Sequence, residues 1–312
     1  MFFNNYIIYF ANYITIWGLA MSVSQAFIKD ENDVLVKLFN VNVPPGVREG
    51  YDHRHAKFEI ALFKEGNGVY TTKLRTYSIK SGDVFVFSSN ENHSITRIHD
   101  CCEMHLMNLH VEPRYFWGSK FDSFGYSGVF FSHSPNFQSR LSRNSEYTDK
   151  IRHLLLETEA EFENMSPEYE LMIRAKITEI FVTLIRNCGY MDEQNKSGGI
   201  TDTRPIRRSL DFIHRNLTER LTLTDIADYA GMSPSYFSAY FCSVMGIKLW
   251  DYITENRIEL AMRALESNSG DTMLDIALQS GFNNTANFNK AFRKFTGRTP
   301  SEYRAIGKAA LY

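Results

Sequence analysis

Residues 223–246 read LTDIADYAGMSPSYFSAYFCSVMG, and residues 273–297 read MLDIALQSGFNNTANFNKAFRKFTG. Laid side by side, the two stretches share one grammar. Each holds Asp-Ile-Ala in a short helix, then opens a turn with Gly231 or Gly281. Each sets two phenylalanines four residues apart in the next helix, Phe237 with Phe241 and Phe288 with Phe292, and closes on Gly246 or Gly297. The alanine lets the helices approach, glycine permits the left-handed turn, and the phenylalanines bury against the first helix. Positions between them then face outward, free to meet base edges in a DNA groove. One such pair also fits a plain helical bundle. Two, joined by a long helix expected over 248–267, favour paired helix-turn-helix units.

Outward from this repeat the punctuation is consistent. Ile206, Leu210, Ile213 and Leu217 predict a helix ahead of the first unit. Thr222 or Thr224 can cap its short helix, Ser233 with Pro234 at N1 caps the next, and Gly297 closes the last. The polar stretch MDEQNKSGGITDTRP, 191–205, reads as a linker. Before it, two amphipathic helices are expected. One carries Ile151, Leu154, Leu155, Thr158 and Phe162; the other starts at Ser166-Pro167 and carries Ile173, Ile177, Ile180, Phe181, Leu184 and Ile185. Their stripes complete a core or form a dimer contact. Between Val34 and Val111, short runs such as VLVKLFNV, FEIALFKEG, GVYTTKLRTYSI, GDVFVFS, HSITRIH and EMHLMNLHV predict strands of a sandwich or small barrel. Residues 112–140 carry no clear pattern.

At 312 residues the chain is long enough for two cores, and its 44% hydrophobic and 22% charged residues exclude disordered and fibrous classes. The net charge of −2 hides an asymmetry. Residues 203–312 carry 14 Lys and Arg against 11 Asp and Glu, which mildly favours a DNA-facing domain joined to an acidic partner domain. Cys101, Cys102, Cys188 and Cys242 show no CxxC spacing, so neither a disulfide framework nor a thiolate zinc site is expected, and a reducing cytoplasm is. Residues 1–20, MFFNNYIIYFANYITIWGLA, hold no charge. Three readings stand for them: a translation start placed upstream of Met21, a packed extension, and a membrane anchor, the last weakened by early asparagines and absent basic flanks.

The second repeat also resembles the signature of the AraC/XylS family of transcription regulators. The residues that carry the resemblance are Ile276-Ala277, Gly281-Phe282, Phe288, Phe292-Arg293, Phe295, Gly297, Thr299-Pro300 and Tyr303-Arg304, with Arg257-Ile258, Ala261 and Leu265 on the joining helix. It covers residues 204–308. The resemblance implies two recognition helices entering successive major-groove segments about 34 Å apart. It places Ser235, Ser238 and Ala239 of the first helix, and Thr285, Ala286, Asn289 and Lys290 of the second, at base-reading positions. Asn289 suits adenine and Lys290 guanine. Arg257, Arg293 and Lys294 are expected on phosphates.

In the first half, His53-Arg54-His55, Glu59 and Gly66 resemble the first cupin motif, and Gly82-Asp83 with His93 the second, although Ser88-Ser89-Asn90 replace its usual turn. The resemblance implies that His53, His55, Glu59 and His93 either line a small-ligand pocket, hold a divalent metal, or are plain fold residues. His105, with His110, is expected to add to the same cavity. The Cys101-Cys102 pair is expected to be structural or incidental.

The expected fold is α+β: a cupin-like β-barrel over 21–140, a helical pair for dimerisation over 141–190, a linker over 191–203 and an all-α domain with two helix-turn-helix motifs over 204–308. The expected function is a cytoplasmic, non-enzymatic DNA-binding regulator without a cofactor. It would be a homodimer that binds double-stranded DNA and a small effector such as a sugar, and meets RNA polymerase if it activates. The alternative is a metal-dependent cupin enzyme with an appended helical domain.

Overall fold

The computed structural model describes residues 12–14, 21–30, 33–47, 55, 57–72, 75–89, 91–99, 103–116, 129–131, 133–191, 204–266 and 270–309. It divides into two compact units, one of Met1–Ala11 with Met21–Thr201, the other of Asn12–Ala20 with Asp202–Tyr312. Of the apolar N-terminal stretch, only a short strand β1 (Asn12–Ile14) lies within the described residues. His53, Asn90, Cys101 and Cys102 lie outside them. Among the described residues, no helix is long and apolar enough to cross a membrane.

The first unit is built on antiparallel strands β2 (Met21–Asp30), β3 (Asp33–Val43), β4 (Gly46–Val47), β5 (Phe58–Glu65), β6 (Gly68–Thr72), β7 (Thr76–Ile79), β8 (Val84–Phe87), β9 (His93–Ile98) and β10 (Met104–Val111). The larger sheet runs β2-β3-β10-β5-β8 and the smaller β4-β9-β6-β7. Among the described residues the expected barrel is therefore two hydrogen-bonded sheets. β5 is buried at six consecutive positions from Phe58 to Phe63, because one of its faces meets the smaller sheet and the other meets helices. That explains why its sequence is a continuous apolar run rather than an alternation. The run GVYTTKLRTYSI is a hairpin: Thr72 N–H donates to Arg75 O at 2.8 Å, separating β6 from β7. Strand β2 left little trace in the sequence. Its buried Gln25 stands beside buried Ala26 and Ile28, which blurs the apolar alternation on which strand prediction depends.

Helices α1 (Glu146–Asn164) and α2 (Tyr169–Asn187) cover the outer face of the larger sheet. Both predicted stripes are buried, and Phe181 lies 4.6 Å from the Phe58 ring and 4.7 Å from Phe130. The stripes thus complete the core. Lys64 of β5 reaches Glu159 of α1 at 2.6 Å, and Asn40 Nδ2 donates to the same carboxylate at 2.7 Å. The expected start of α2 is corrected. Ser166 does not cap it; Met165 and Glu168 both take left-handed backbone (φ 45° and 64°) to reverse the chain, so helix begins only at Tyr169.

In the second unit, α3 (Arg204–Arg215), α4 (Leu223–Ala230) and α5 (Pro234–Met245) form the first helix-turn-helix unit. The long helix α6 (Leu249–Glu266) leads to α7 (Met273–Gln279), α8 (Thr285–Thr296) and α9 (Pro300–Ala309). The repeat holds in atomic detail. Thr222 accepts from Asp225 N–H and Thr272 from Asp275 N–H, so the Asp of each Asp-Ile-Ala sits in a helix-capping turn. Ile226, Ala227, Phe237 and Phe241 are buried in the first unit, as are Ile276, Ala277, Phe288 and Phe292 in the second. Gly231, Gly281 and Gly297 all take positive φ.

Candidate functional site

Two sites emerge, one in each unit. In the first unit, Glu59 is the second residue of β5 and pairs across the ladder with His110 of β10, both on the face turned toward the smaller sheet. His93 enters from β9 on that opposing sheet. His55 lies on the approach to β5, four residues before Glu59. The four converge: Glu59 Oε2 lies 2.7 Å from His55 Nε2, 3.2 Å from His93 Nε2 and 3.2 Å from His110 Nε2. The ladder pairing and the sandwich together make the cluster, since no single strand could bring these residues to one point.

Ring contacts wall the cluster in. Phe87 stacks on His93 at 4.1 Å, Phe39 meets His110 edge-on at 4.9 Å, and His55 lies 4.4 Å from His110. Backbone carbonyls orient two imidazoles: Lys57 O is 3.1 Å from His55 Nδ1 and Glu91 O is 2.7 Å from His93 Nδ1. Burial works to raise the Glu59 pKa, but the charges of His93 and His110, with close polar contacts from His110 and His55, hold it well below the carboxylate range. Burial and the charge of His55 press the His110 pKa from 6.5 to about 3, against the pull of Glu59. His110 Nε2 is off the hydrogen-bonding line to Glu59, and the Asn108 carbonyl oxygen two residues back on the same strand face is likewise buried without a partner. Two such atoms facing the inter-sheet space are what a polar ligand would satisfy.

The expectation for His105 is corrected. It is separated from His110 by five residues, so the two point to opposite sides of β10. His105 is 40% exposed, 3.4 Å from Glu65, outside the cluster. His55, Glu59 and His93 have the geometry for a metal, their ligand atoms all lying within 4.8 Å of one another. Gly82-Asp83 is structural: the buried Asp83 carboxylate accepts two bonds from Arg143, each 2.7 Å.

His110 supplies a pH prediction. A histidine whose folded pKa is depressed contributes stability that is whole above its unfolded value near 6.5 and is lost as pH falls toward the folded value. The His110→Asn variant should therefore lose about 2 kcal/mol less than the wild type between pH 7 and pH 5, measured by urea unfolding in EDTA. Identical losses in both proteins would refute this.

In the second unit, α8 presents Ala286, Asn289, Lys290 and Arg293 as an exposed stripe opposite buried Phe288 and Phe292. Thr285 is half-buried at its first turn. On α5, Ser235, Ser238 and Ala239 are exposed opposite Phe237 and Phe241. Tyr236, which the sequence reading passed over, is 62% exposed beside them and stacks on Tyr240 at 6.2 Å. The phosphate candidates separate. Arg293 is exposed, while Lys294 is exposed but shares its ammonium with Asp251 of α6 at 3.0 Å. Arg257 is turned inward, donating from Nε to Leu217 O at 2.8 Å and from Nη2 to Glu219 O at 2.7 Å.

Comparison with known proteins agrees with both halves. Residues 47–181 match the family described as an AraC-like ligand binding domain, and residues 226–306 match a helix-turn-helix domain family. The melibiose operon regulatory protein of Escherichia coli K12 is 24% identical over 268 residues, covering 82% of this chain and 84% of that protein. An HTH-type transcriptional regulator of Staphylococcus aureus MRSA252 is 34% identical over 99 residues, 32% of this chain and 13% of its own. The solved structure of ToxT from Vibrio cholerae superposes with a TM-score of 0.58 at 14% identity, over 92% of this chain and 97% of that one, a likeness of fold. With an AraC-like ligand binding domain matched over residues 47–181 and a helix-turn-helix domain over 226–306, the chain belongs to the AraC/XylS family of transcription regulators.

Proposed function

We propose that the chain is an effector-responsive activator that binds a sugar or similarly polar small molecule between the sheets of its first unit. The observation that carries this reading is the Glu59 cluster, with His110 Nε2 held 3.2 Å from Glu59 off the hydrogen-bonding line and the buried Asn108 carbonyl oxygen beside it. Carboxylate, imidazole and amide walls, with Phe39 and Phe87 rings at hand, are what a polyhydroxylated ligand needs. The Escherichia coli relative is a melibiose operon regulatory protein, which supports a sugar. Effector binding would act by favouring one arrangement of the regulator over another. Asn289 and Lys290 of α8, with Thr285 and Ala286, and Ser235, Ser238 and Ala239 of α5 would read bases. Arg293 and Lys294 would grip phosphates.

The boundaries 21–140, 141–190, 191–203 and 204–308 are proposed as the functional divisions. The helical pair would dimerise through Leu171, Met172, Leu156 and Met165, which remain 63%, 49%, 41% and 44% exposed after the stripes are buried. The protein would work in the cytoplasm, where activation implies contact with RNA polymerase. A second reading has a specific observation in its favour: the His55, Glu59 and His93 ligand set suits a divalent metal. Stoichiometric metal in purified protein would favour that occupant over a sugar, and turnover would favour the enzyme alternative.

The test of DNA binding is a gel-shift assay with the 200–312 fragment, which carries both helix-turn-helix units, and with the full chain. Both should bind duplex DNA at low salt. With 6–10 phosphate contacts, affinity should fall about 10³–10⁵-fold between 50 and 200 mM salt. No shift by either protein at low salt would sink the reading.

A further inference from the structure

We propose that Arg257 sets the separation at which the two recognition helices read DNA, as a positioning residue rather than a DNA contact. The argument starts from the two ends of α6. Its first half belongs to the first helix-turn-helix unit: Leu249, Tyr252 and Ile253 are buried, Tyr252 packs on Phe241 at 5.7 Å, and its hydroxyl lies 2.7 Å from His214 of α3. Its second half belongs to the other unit, with Ile258, Ala261 and Leu265 in one apolar cluster with Ile276, Ala277, Phe288 and Phe292. Arg257 stands at the changeover.

From there its guanidinium reaches backward about forty residues in sequence. Nε donates to Leu217 O and Nη2 to Glu219 O, in the turn that ends α3. A fork that grips two carbonyls holds direction as well as distance. Gly281 of the second helix-turn-helix unit lies close against the same group. A carbon added at Gly281 would stand 2.7 Å from Leu217 O and 2.8 Å and 3.0 Å from Nε and Cζ of Arg257. Gly281 opens the turn that launches α8, and its φ of +81° is one that side-chain-bearing residues rarely adopt. The scaffold of the first unit, the joining helix and the turn of the second therefore meet at one side chain. A single helix under both recognition helices would otherwise be free to let them swing apart by bending or fraying. The contact closes that freedom from the side.

The proposal rests on the reading that these units bind DNA, and the experiment separates the two. The full chain is used to select duplexes from a randomised pool. The wild type should enrich two short boxes at one fixed separation; enrichment of nothing would sink the DNA reading itself. From that pool, one duplex keeps both boxes and a second has one box scrambled. Arg257→Ala, and Arg257→Lys, which keeps stem and charge but not the fork, should lose at least tenfold in affinity for the two-box duplex. Their affinity for the one-box duplex should hold within twofold. Selected by the variants, the boxes should keep their bases but spread over separations differing by one or two base pairs. Three results would overturn the proposal: parallel loss on both duplexes with a salt slope reduced by about one, the mark of a phosphate ligand; an unchanged single separation; or unfolding of both variants at room temperature.

Discussion

Replacing Asn289 and Lys290 together with alanine is expected to cost the protein more of its sequence discrimination than any other pair on its reading surface. Both side chains are exposed on α8, between Ala286 and Arg293 and directly opposite the buried Phe288 and Phe292, so the helix that holds them is anchored by its core face and does not depend on them. Asn can bond two edges of adenine and a lysine ammonium can reach guanine, each worth about 1–3 kcal/mol against a wrong base. The pair together should then carry about 2–6 kcal/mol, a relaxation of at least thirtyfold in the ratio of specific to competitor binding. Ser235 and Ser238 on α5 offer only single hydroxyl bonds, each typically worth about 1 kcal/mol, so their double alanine variant should relax specificity by about thirtyfold, the lower bound for the α8 pair. Competition binding against a scrambled duplex at fixed salt measures both. A larger loss from the serine pair would reverse the ranking, and would point to Tyr236, beside them, as a reason for the first unit's weight.

Much of the second unit was legible because everything that makes it is local. Capping residues, the positive-φ glycines and the apolar spacing of Phe237, Phe241, Phe288 and Phe292 act within a turn or two of their own positions, and Gly297 ends α8 as the pattern predicts. What was not legible there is the set of partners of Arg257. On the page it is a cation on an exposed-looking helix, which reads as a phosphate ligand, but its partners are carbonyls at Leu217 and Glu219 and nothing in the local pattern announces them. In the first unit the same contrast holds. His55 and Glu59 lie four residues apart and His93 follows in a second motif, so the resemblance to the cupin motifs implies the set. Which histidine of β10 joins them is a matter of strand parity, and His110, not His105, shares the face of Glu59. Strand β2 and the reversal at Met165 and Glu168 depend on tertiary pairing that the amphipathic patterns do not encode.

Glu59 is where sensing and stability coincide, and Glu59→Ala should be the most damaging single change in the first unit. Its carboxylate is 2% exposed and is the common neighbour of three imidazoles, from the approach to β5, from β9 and from β10. Removing it takes away the carboxylate that the Nε2 atoms of His55 and His93 face, while their Nδ1 atoms keep the Lys57 and Glu91 carbonyls, and opens space between the two sheets. Breaking a buried pair from one side costs about 3–5 kcal/mol, because the partner stays desolvated and uncompensated. A drop on the order of 3 kcal/mol in urea unfolding of the first unit is therefore expected. Because the two units have separate cores, the 200–312 fragment's DNA affinity has no reason to change, and the full-length Glu59→Ala protein should retain basal DNA binding while losing its response to effector. A Glu59→Gln variant distinguishes charge from shape: it keeps the volume and one acceptor but not the carboxylate charge, so it should recover part of the stability that Glu59→Ala loses at pH 7. If Glu59→Ala unfolded at the same urea concentration as the wild type, the cluster would hold too little energy to respond to a ligand, and the inter-sheet site would have to be sought elsewhere.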